Sequence, residues 1–442
     1  MTTDTAGTNH RSSAPEGIDG SLDDPSVRRR IRELFLLDPS TVHLDTATVG
    51  SPPRPVLDEL GAADRELARA PRDPYDDSAL LDVRTVLAGG YGCAPDEICV
   101  AGSAIDANTR VLNGLDLAAG DEVVSTDHEC FTIRTPLNAL VNRRGVVVRR
   151  AVLRVGPDQR AEEIVAAFEA AIGPRTKVLQ WPAVSLTTGT VFPSRLLAEL
   201  AQRHGLVSVV DGAQLAGQLE LDLHALGVDF LTGSGAKFQC GPQGTAFVYA
   251  RNRVLRRHNP LPLPVFWPAP SLAYPAQGGL PPRTGTAEPA YDLADLMQRA
   301  DTVDLSRAAA LRLSCQLWDR IGRAEIGRYV RALGDRLRSG IADHFGTSAL
   351  YNSVEDPRLR CGMVAFTPFR DAAGEPAEMA RFGEFAARLR DEYRISVAVT
   401  GFAPPDNSGF RFAIRISPHL YNTYDEIDAA VAAMAALAAH PR

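Results

Sequence analysis

Residues 207–249 read VSVVDGAQLAGQLELDLHALGVDFLTGSGAKFQCGPQGTAFVY. Three short apolar runs in this stretch, Val207–Val210, Phe230–Leu231 and Thr245–Tyr249, read as strands bounded by Gly, Pro and Asp. The first delivers Asp211 at its C-terminal end. The second leads into Gly233-Ser234-Gly235-Ala236-Lys237, and Gly241-Pro242-Gln243-Gly244 turns the chain into the third. Upstream the pattern repeats, with strand candidates at Ile98–Val100, Glu122–Ser125, Val146–Val148 and Lys177–Gln180. Between them lie helical stretches such as Ala161–Ile172, where Ile164, Phe168 and Ile172 share one face. Strands alternating with helices predict an α/β chain built on a mostly parallel seven-stranded sheet. Ligands of such sheets sit at the C-terminal strand ends, and Asp211 falls there.

The flanks complete the domain organisation. Residues 1–22 are polar and Gly-rich, and are expected to be a disordered tail. A short helix after Pro25, an extended segment Val42–Leu44 and a loop from Asp45 to Pro52 follow, so that 23–50 forms a segment joining the smaller domain. Residues 51–300 form the large domain, which includes a Pro- and Gly-rich connection over 259–290 of the length that often carries function. Residues 301–442 form a smaller α+β domain. It closes with a helix capped by Thr423 and Glu426, with Ile427, Val431, Met434 and Leu437 as its buried stripe.

Composition narrows the function classes. The 442 residues are 45% apolar, enough for two cores, and carry a formal charge of −7. That balance gives no general attraction for nucleic acid or an acidic membrane. No run approaches the roughly 18 apolar residues of a membrane span, and the N-terminus has no signal-peptide core. The six cysteines are scattered and form no CxxC pair, which fits a reducing cytoplasm.

Taken singly, Asp211 is an ordinary strand-end cap and Lys237 an ordinary solvated amine on an apolar stem. Together they suit a carbonyl cofactor. A lysine can hold an aldehyde covalently as an imine and, once displaced, serve as a base beside the substrate α-carbon. An ionised aspartate paired with a pyridine nitrogen keeps that ring protonated and able to absorb electrons, as pyridoxal 5′-phosphate requires. Gln214 is placed to donate to the ring's phenolic oxygen. A phosphate needs backbone N–H groups and small hydroxyls at a helix start. Ala101-Gly102-Ser103-Ala104 and Ser234-Gly235 both qualify.

These residues carry a family resemblance. The segments VLNGLDLAAGDEVVSTDHE, VVDGAQ, DFLTGSGAKFQCGPQGTAF and IRISPHLYNTYDEID resemble the class V aminotransferase-like enzymes, nearer their isopenicillin-N-epimerase-like branch than their cysteine desulfurases. The resemblance covers nearly all of the chain from about residue 40 and implies the fold type I architecture of pyridoxal-phosphate enzymes. It also implies Lys237 as the cofactor-bearing lysine, Asp211 at the pyridine nitrogen, Gln214 at the phenolic oxygen, and Ser234 with Gly102, Ser103 and Ala104 at the phosphate. Arg415 is implied at the substrate α-carboxylate. Gly285 and Thr286 would reach the phosphate of a partner subunit, making a homodimer with shared active sites. We assign His43, Thr46, Ala47 and Trp181 to the substrate side.

Several departures shape the expected chemistry. Ala236 stands where the family has a histidine before the lysine, Cys130 or the adjacent Phe131 must replace the ring-stacking residue, and Trp181 and Ala183 mark a more apolar pocket. Residues 391–414 contain no cysteine, so persulfide-forming desulfurase chemistry is not expected, and Cys361 reads as a buried strand residue. An aminotransferase-type tailoring reaction on an amino acid is the leading expectation. A carbon–sulfur β-lyase on a cysteine conjugate comes next, and epimerisation stays open. Epimerisation would call for a second acid/base, for which His43, His128 and Tyr424 are candidates. The non-enzymatic alternative is an inactive scaffold of the same fold, against which Lys237, Asp211 and Arg415 argue.

Overall fold

The computed structural model describes residues 17–73, 77–115, 117–251, 297–298, 302–369, 379–403 and 410–439. The connection over 259–290, with Gly285 and Thr286, lies outside them. The N-terminal elements are α1 (Pro25–Glu33), β1 (Val42–His43), α2 (Arg54–Arg69) and α3 (Asp77–Tyr91). The alternating region follows as β2 (Ile98–Ala101), α4 (Ala104–Gly114), β3 (Glu122–Thr126), α5 (Phe131–Arg144), β4 (Val147–Ala151), α6 (Ala161–Ala171), β5 (Thr176–Pro182), α7 (Ser194–Arg203), β6 (Val207–Asp211), α8 (Leu223–Leu226), β7 (Phe230–Ser234) and β8 (Ala246–Ala250). The C-terminal part holds α9 (Leu305–Ile321), α10 (Arg323–Phe345), β9 (Val364–Phe366), α11 (Met379–Tyr393), β10 (Ile395–Ser396), β11 (Ala398–Phe402), β12 (Arg411–Ile416) and α12 (Tyr424–Ala439).

Each of the seven predicted runs is a strand of one sheet, ordered β2-β8-β7-β6-β5-β3-β4. Strands β6, β7 and β8 are buried along their whole length. That is why they read as continuous apolar runs rather than alternating ones. β8 alone is antiparallel to its neighbours β7 and β2. Two antiparallel pairings restore direction, so β2 runs with the parallel set and its C-terminal end reaches the same edge as those of β3, β5, β6 and β7.

A second core joins the C-terminal helices and the antiparallel sheet β11-β12-β9 to the N-terminal segment. Its reach extends further than composition suggests. Ile18 and Leu22, within the stretch expected to be disordered, are both buried there. The Leu22 N–H donates to Glu325 at 2.5 Å. Two apolar residues four apart suffice to dock a polar segment, and an averaged composition does not register them. β1 pairs in parallel with β10, and the Ser417 N–H donates to the Leu44 carbonyl at 2.7 Å, which stitches residues 42–47 to the end of β12. Thr423 and Glu426 cap the last helix reciprocally, at 3.2 and 3.1 Å.

Candidate active site

The strand-end edge brings Asp211 and Lys237 into one cavity, whose walls also include Glu129, Cys130, Gln214 and Leu186. Asp211 ends β6 with every oxygen engaged. Its Oδ2 accepts from Asn108 Nδ2 at 3.3 Å and Thr132 Oγ1 at 3.1 Å, and its Oδ1 from the Ala213 N–H at 2.9 Å. Thr232 donates to Asn108 Oδ1 at 2.7 Å, which turns the amide's NH2 toward the carboxylate. Neither Asn108 nor Thr132 stands out in the sequence, because each comes from a helix far from residue 211 along the chain. Asn108 lies inside an ordinary helical pattern, so only the packing of α4 against β7 reveals it.

Glu129 is a second carboxyl beside Asp211. Its Oε1 accepts from Gln180 Nε2 at 2.7 Å, and Gln180 Oε1 accepts from Ser125 at 2.6 Å. Its Oε2 is buried with no partner among the described residues. Burial, reinforced by the Asp211 carboxylate, holds Glu129 well above the usual carboxylate range. Burial thus favours its protonated form, and one of its oxygens is unused.

Lys237 lies on the turn after β7. Burial pulls its amine below the ordinary lysine value, while the Asp211 carboxylate pulls the other way. The turn is fixed by the loop over 45–50. The Gly50 N–H donates to the Ala236 carbonyl at 2.9 Å, and a Cβ on Gly50 would collide with the Lys237 carbonyl oxygen. The loop thus packs backbone to backbone on Ala236 and Lys237. From the other side, His419 Nε2 donates to the Phe238 carbonyl at 2.6 Å.

Gln214 donates one amide hydrogen to the Ala47 carbonyl at 3.1 Å, and its Oε1 is buried without a partner among the described residues. The second amide hydrogen suits a phenolic oxygen. Ser103 caps α4, accepting from the Asp106 N–H at 3.1 Å, with Gly102 before it open where a Cβ would stand and Ala104 as the first helical residue. Ser234 accepts from the Ala236 N–H at 3.3 Å. A carboxylate facing an amine, a helix start lined with small residues and two partnerless buried oxygens form a set that fits pyridoxal 5′-phosphate.

The substrate side differs from expectation at several positions. Trp181 does not line the cavity. Strand alternation sends Gln180 and Pro182 toward the site and Trp181 to the opposite face, where its indole donates to Ser194 at 3.0 Å. Val184 and Leu186 supply the apolar wall instead. Between the two candidates for the ring face, Cys130 lines the cavity and Phe131 is 65% exposed. Thr46 is spent on the Tyr421 hydroxyl at 2.6 Å, and the Ala47 carbonyl on Gln214.

None of the three candidates for a second acid/base lines the cavity. His43 is 3.3 Å from the Val49 carbonyl. His128 is stacked on Phe402 with ring centroids 5.8 Å apart, and burial pushes it down to about 4. Tyr424 packs on Tyr329 between Arg28 and Arg336. Cys361 is buried behind the site, its thiol donating to the Gly189 carbonyl at 3.2 Å.

Arg415, on β12, is 2% exposed. Its Nη2 donates to Asp45 Oδ1 at 2.5 Å and to Thr48 Oγ1 at 2.7 Å, and its Nη1 to the Leu186 carbonyl at 3.2 Å. Asp45 carries no sequence signal beyond its place in a polar loop.

Comparisons with known proteins give the family and the fold. The family model for aminotransferase class-V matches residues 78–430. Isopenicillin N epimerase of Amycolatopsis lactamdurans is 31% identical over 407 residues, covering 90% of this chain and 95% of that protein. A probable cysteine desulfurase of Methanothermobacter thermautotrophicus is 26% identical over 401 residues, 87% of this chain and 92% of that one. Among solved structures, the cystine C–S lyase C-DES with its product cysteine persulfide is similar at a TM-score of 0.71 and 23% identity, covering 89% of this chain and 97% of that chain. Apo cysteine desulfurase from Thermococcus onnurineus is similar at 0.73 and 21%, covering 93% and 98%.

Proposed function

The chain belongs to the aminotransferase class-V family of pyridoxal 5′-phosphate enzymes, and from that membership we propose that it removes the α-proton of an amino acid whose carboxylate Arg415 receives, in an aminotransferase-type reaction. The observation that carries the reading is the shared cavity of Lys237 and Asp211 with the partnerless oxygens of Glu129 and Gln214. When bound there, the cofactor supplies an electron sink for charge developing at the α-carbon.

The chain's own residues do the rest. Lys237 would hold the cofactor's aldehyde and, when free, would accept the α-proton; burial lowers its amine below the ordinary lysine value, which favours the unprotonated, nucleophilic form. Asp211, kept in place by Asn108, Thr132 and the Ala213 N–H, would hold a proton at the pyridine nitrogen. Gln214 would donate to the phenolic oxygen, and Gly102, Ser103, Ala104 and Ser234 would receive the phosphate. Val184 and Leu186 exclude water from the wall beside the reacting carbon.

A second reading, epimerisation, draws on the likeness to isopenicillin N epimerase and on the Cys130 thiol lining the cavity with Lys237. In either reading two copies would share their active sites, Gly285 and Thr286 reaching the phosphate of the partner subunit, with the exposed Phe131 and Ile105 at the starts of α5 and α4 free to be covered. No described helix is long and apolar enough to cross a membrane.

The test is a screen of amino acids and cysteine conjugates against the holoenzyme in deuterated water, with products read by mass spectrometry. A keto acid with the amine form of the cofactor supports the first reading. Deuterium at the α-carbon without net breakdown supports the second. Pyruvate, ammonia and a thiol identify a carbon–sulfur β-lyase and overturn both, as does the absence of α-exchange with every amino acid tried.

A further inference from the structure

Arg415 is already paired. A guanidinium grips a carboxylate through a fork of two parallel N–H groups. Its Nη1/Nη2 fork and its Nε/Nη2 fork both draw on Nη2, whose two hydrogens face Asp45 Oδ1 and Thr48 Oγ1. Nε is buried with no partner among the described residues. An arriving carboxylate therefore finds no complete fork while Asp45 stays in place.

The loop that carries Asp45 is fixed, but its side chain is not deeply enclosed. The Leu44 N–H donates to the Ser396 carbonyl at 3.0 Å and the Thr46 N–H to the Ser417 carbonyl at 3.2 Å, so the backbone is held on both sides of Asp45. The Asp45 side chain is 17% exposed and Thr48 lies at the surface. Besides Arg415, Asp45 Oδ1 accepts from the exposed Thr48 Oγ1 at 2.9 Å, so release of the carboxylate toward water would break two side-chain contacts and none of the backbone ones.

We propose that Asp45 occupies the substrate-carboxylate seat on Arg415 in the resting enzyme and is exchanged for the substrate's own carboxylate, so that it sets the affinity and selectivity for carboxylate ligands. This rests on Arg415 as the carboxylate receptor. The physical reason for such an exchange is charge balance. A buried guanidinium without a counter-ion is strongly unfavourable, and trading one carboxylate for another never leaves it bare. A ligand with an amide or ester in place of the carboxylate cannot make the trade, so it meets an occupied seat.

Equilibrium binding of propionate and of propionamide to the holoenzyme, by calorimetry, tests this. Asp45→Asn removes the competing charge and should tighten propionate by about tenfold, with propionamide little changed. Asp45→Glu, which keeps the competitor, should stay within about twofold of the parent. Should Asp45→Asn fail to fold, Thr48→Val frees one Nη2 hydrogen at the surface and should tighten propionate by about threefold. Unchanged or weaker propionate binding in the charge-removing variant, with Arg415→Gln abolishing it, overturns the exchange and leaves Arg415 as receptor. Propionate binding that survives Arg415→Gln unchanged overturns the receptor assignment itself, and the exchange with it.

Discussion

Around Asp211 the hydrogen-bond partners are neutral donors, Asn108, Thr132 and a backbone N–H, whereas Arg415 at the other end of the site already faces a carboxylate, that of Asp45 at 2.5 Å. The first end is oriented but left with its charge available, as suits a cation that stays through many turnovers. The second is balanced within the protein, as suits a ligand that comes and goes. A buried charge can be left for a resident partner to neutralise, but one that empties every cycle needs a counter-ion of its own. The rigid sheet carries the first end, and the meeting of β12 with the 45–48 loop carries the second.

Breaking the cofactor end should do the greatest damage. Lys237→Ala removes both anchor and base, and turnover should fall by at least about 10³-fold. The borohydride-fixed cofactor should also vanish from the tryptic peptide containing residue 237. A fixed adduct at the same level in the variant would refute the lysine assignment. Asp211→Asn keeps the shape and loses the charge, and kcat should fall by about 10²-fold or more, with a changed cofactor absorbance and little change in KM.

At the opposite end the split between constants should reverse. Arg415→Ala should raise KM more than it lowers kcat, costing about 3 kcal/mol in kcat/KM. Equal losses in both constants would show that the two ends do not divide cofactor from substrate.

The contact between the two parts of the molecule is sensitive to acid. His128, just after β3, stacks on Phe402 of β11 and stays neutral down to about pH 4, whereas an unfolded chain protonates the same imidazole below about 6.5. Between those values the unfolded state binds the extra proton, so stability falls as pH falls through the window. Urea unfolding at pH 7 and pH 5 should show about 2 kcal/mol of that loss disappearing in His128→Gln. The smallest effect is expected from Thr132→Val, which removes one donor to Asp211 and should cost about 1 kcal/mol in transition-state stabilisation, read as a few-fold fall in kcat.

The strands, and the two residues at the centre of the site, were legible because they depend on local pattern. Val207–Val210 and Phe230–Leu231 are apolar runs bounded by turn residues, and strand ends are where Asp211 and Lys237 had to fall. Trp181 was misread for a related reason. Membership of a strand is visible in a sequence, but a strand buried on both faces has no polar alternation to show which way each side chain points. Phe131 and Cys130 are adjacent and looked equally suitable, since the helix start that separates them is a matter of one residue.

The sequence by itself determined that an amine and a carboxylate stand at the C-terminal edge of a mostly parallel sheet, because strand period and turn chemistry are local properties. Only the tertiary structure decided that Asn108 and Thr132 orient that carboxylate, that burial beside it raises the Glu129 carboxyl above its usual range, and that Asp45 lies on Arg415. Those contacts join positions as far apart as residues 45 and 415. Their energies come from burial and from charges meeting across space, which neither spacing nor periodicity along the chain encodes.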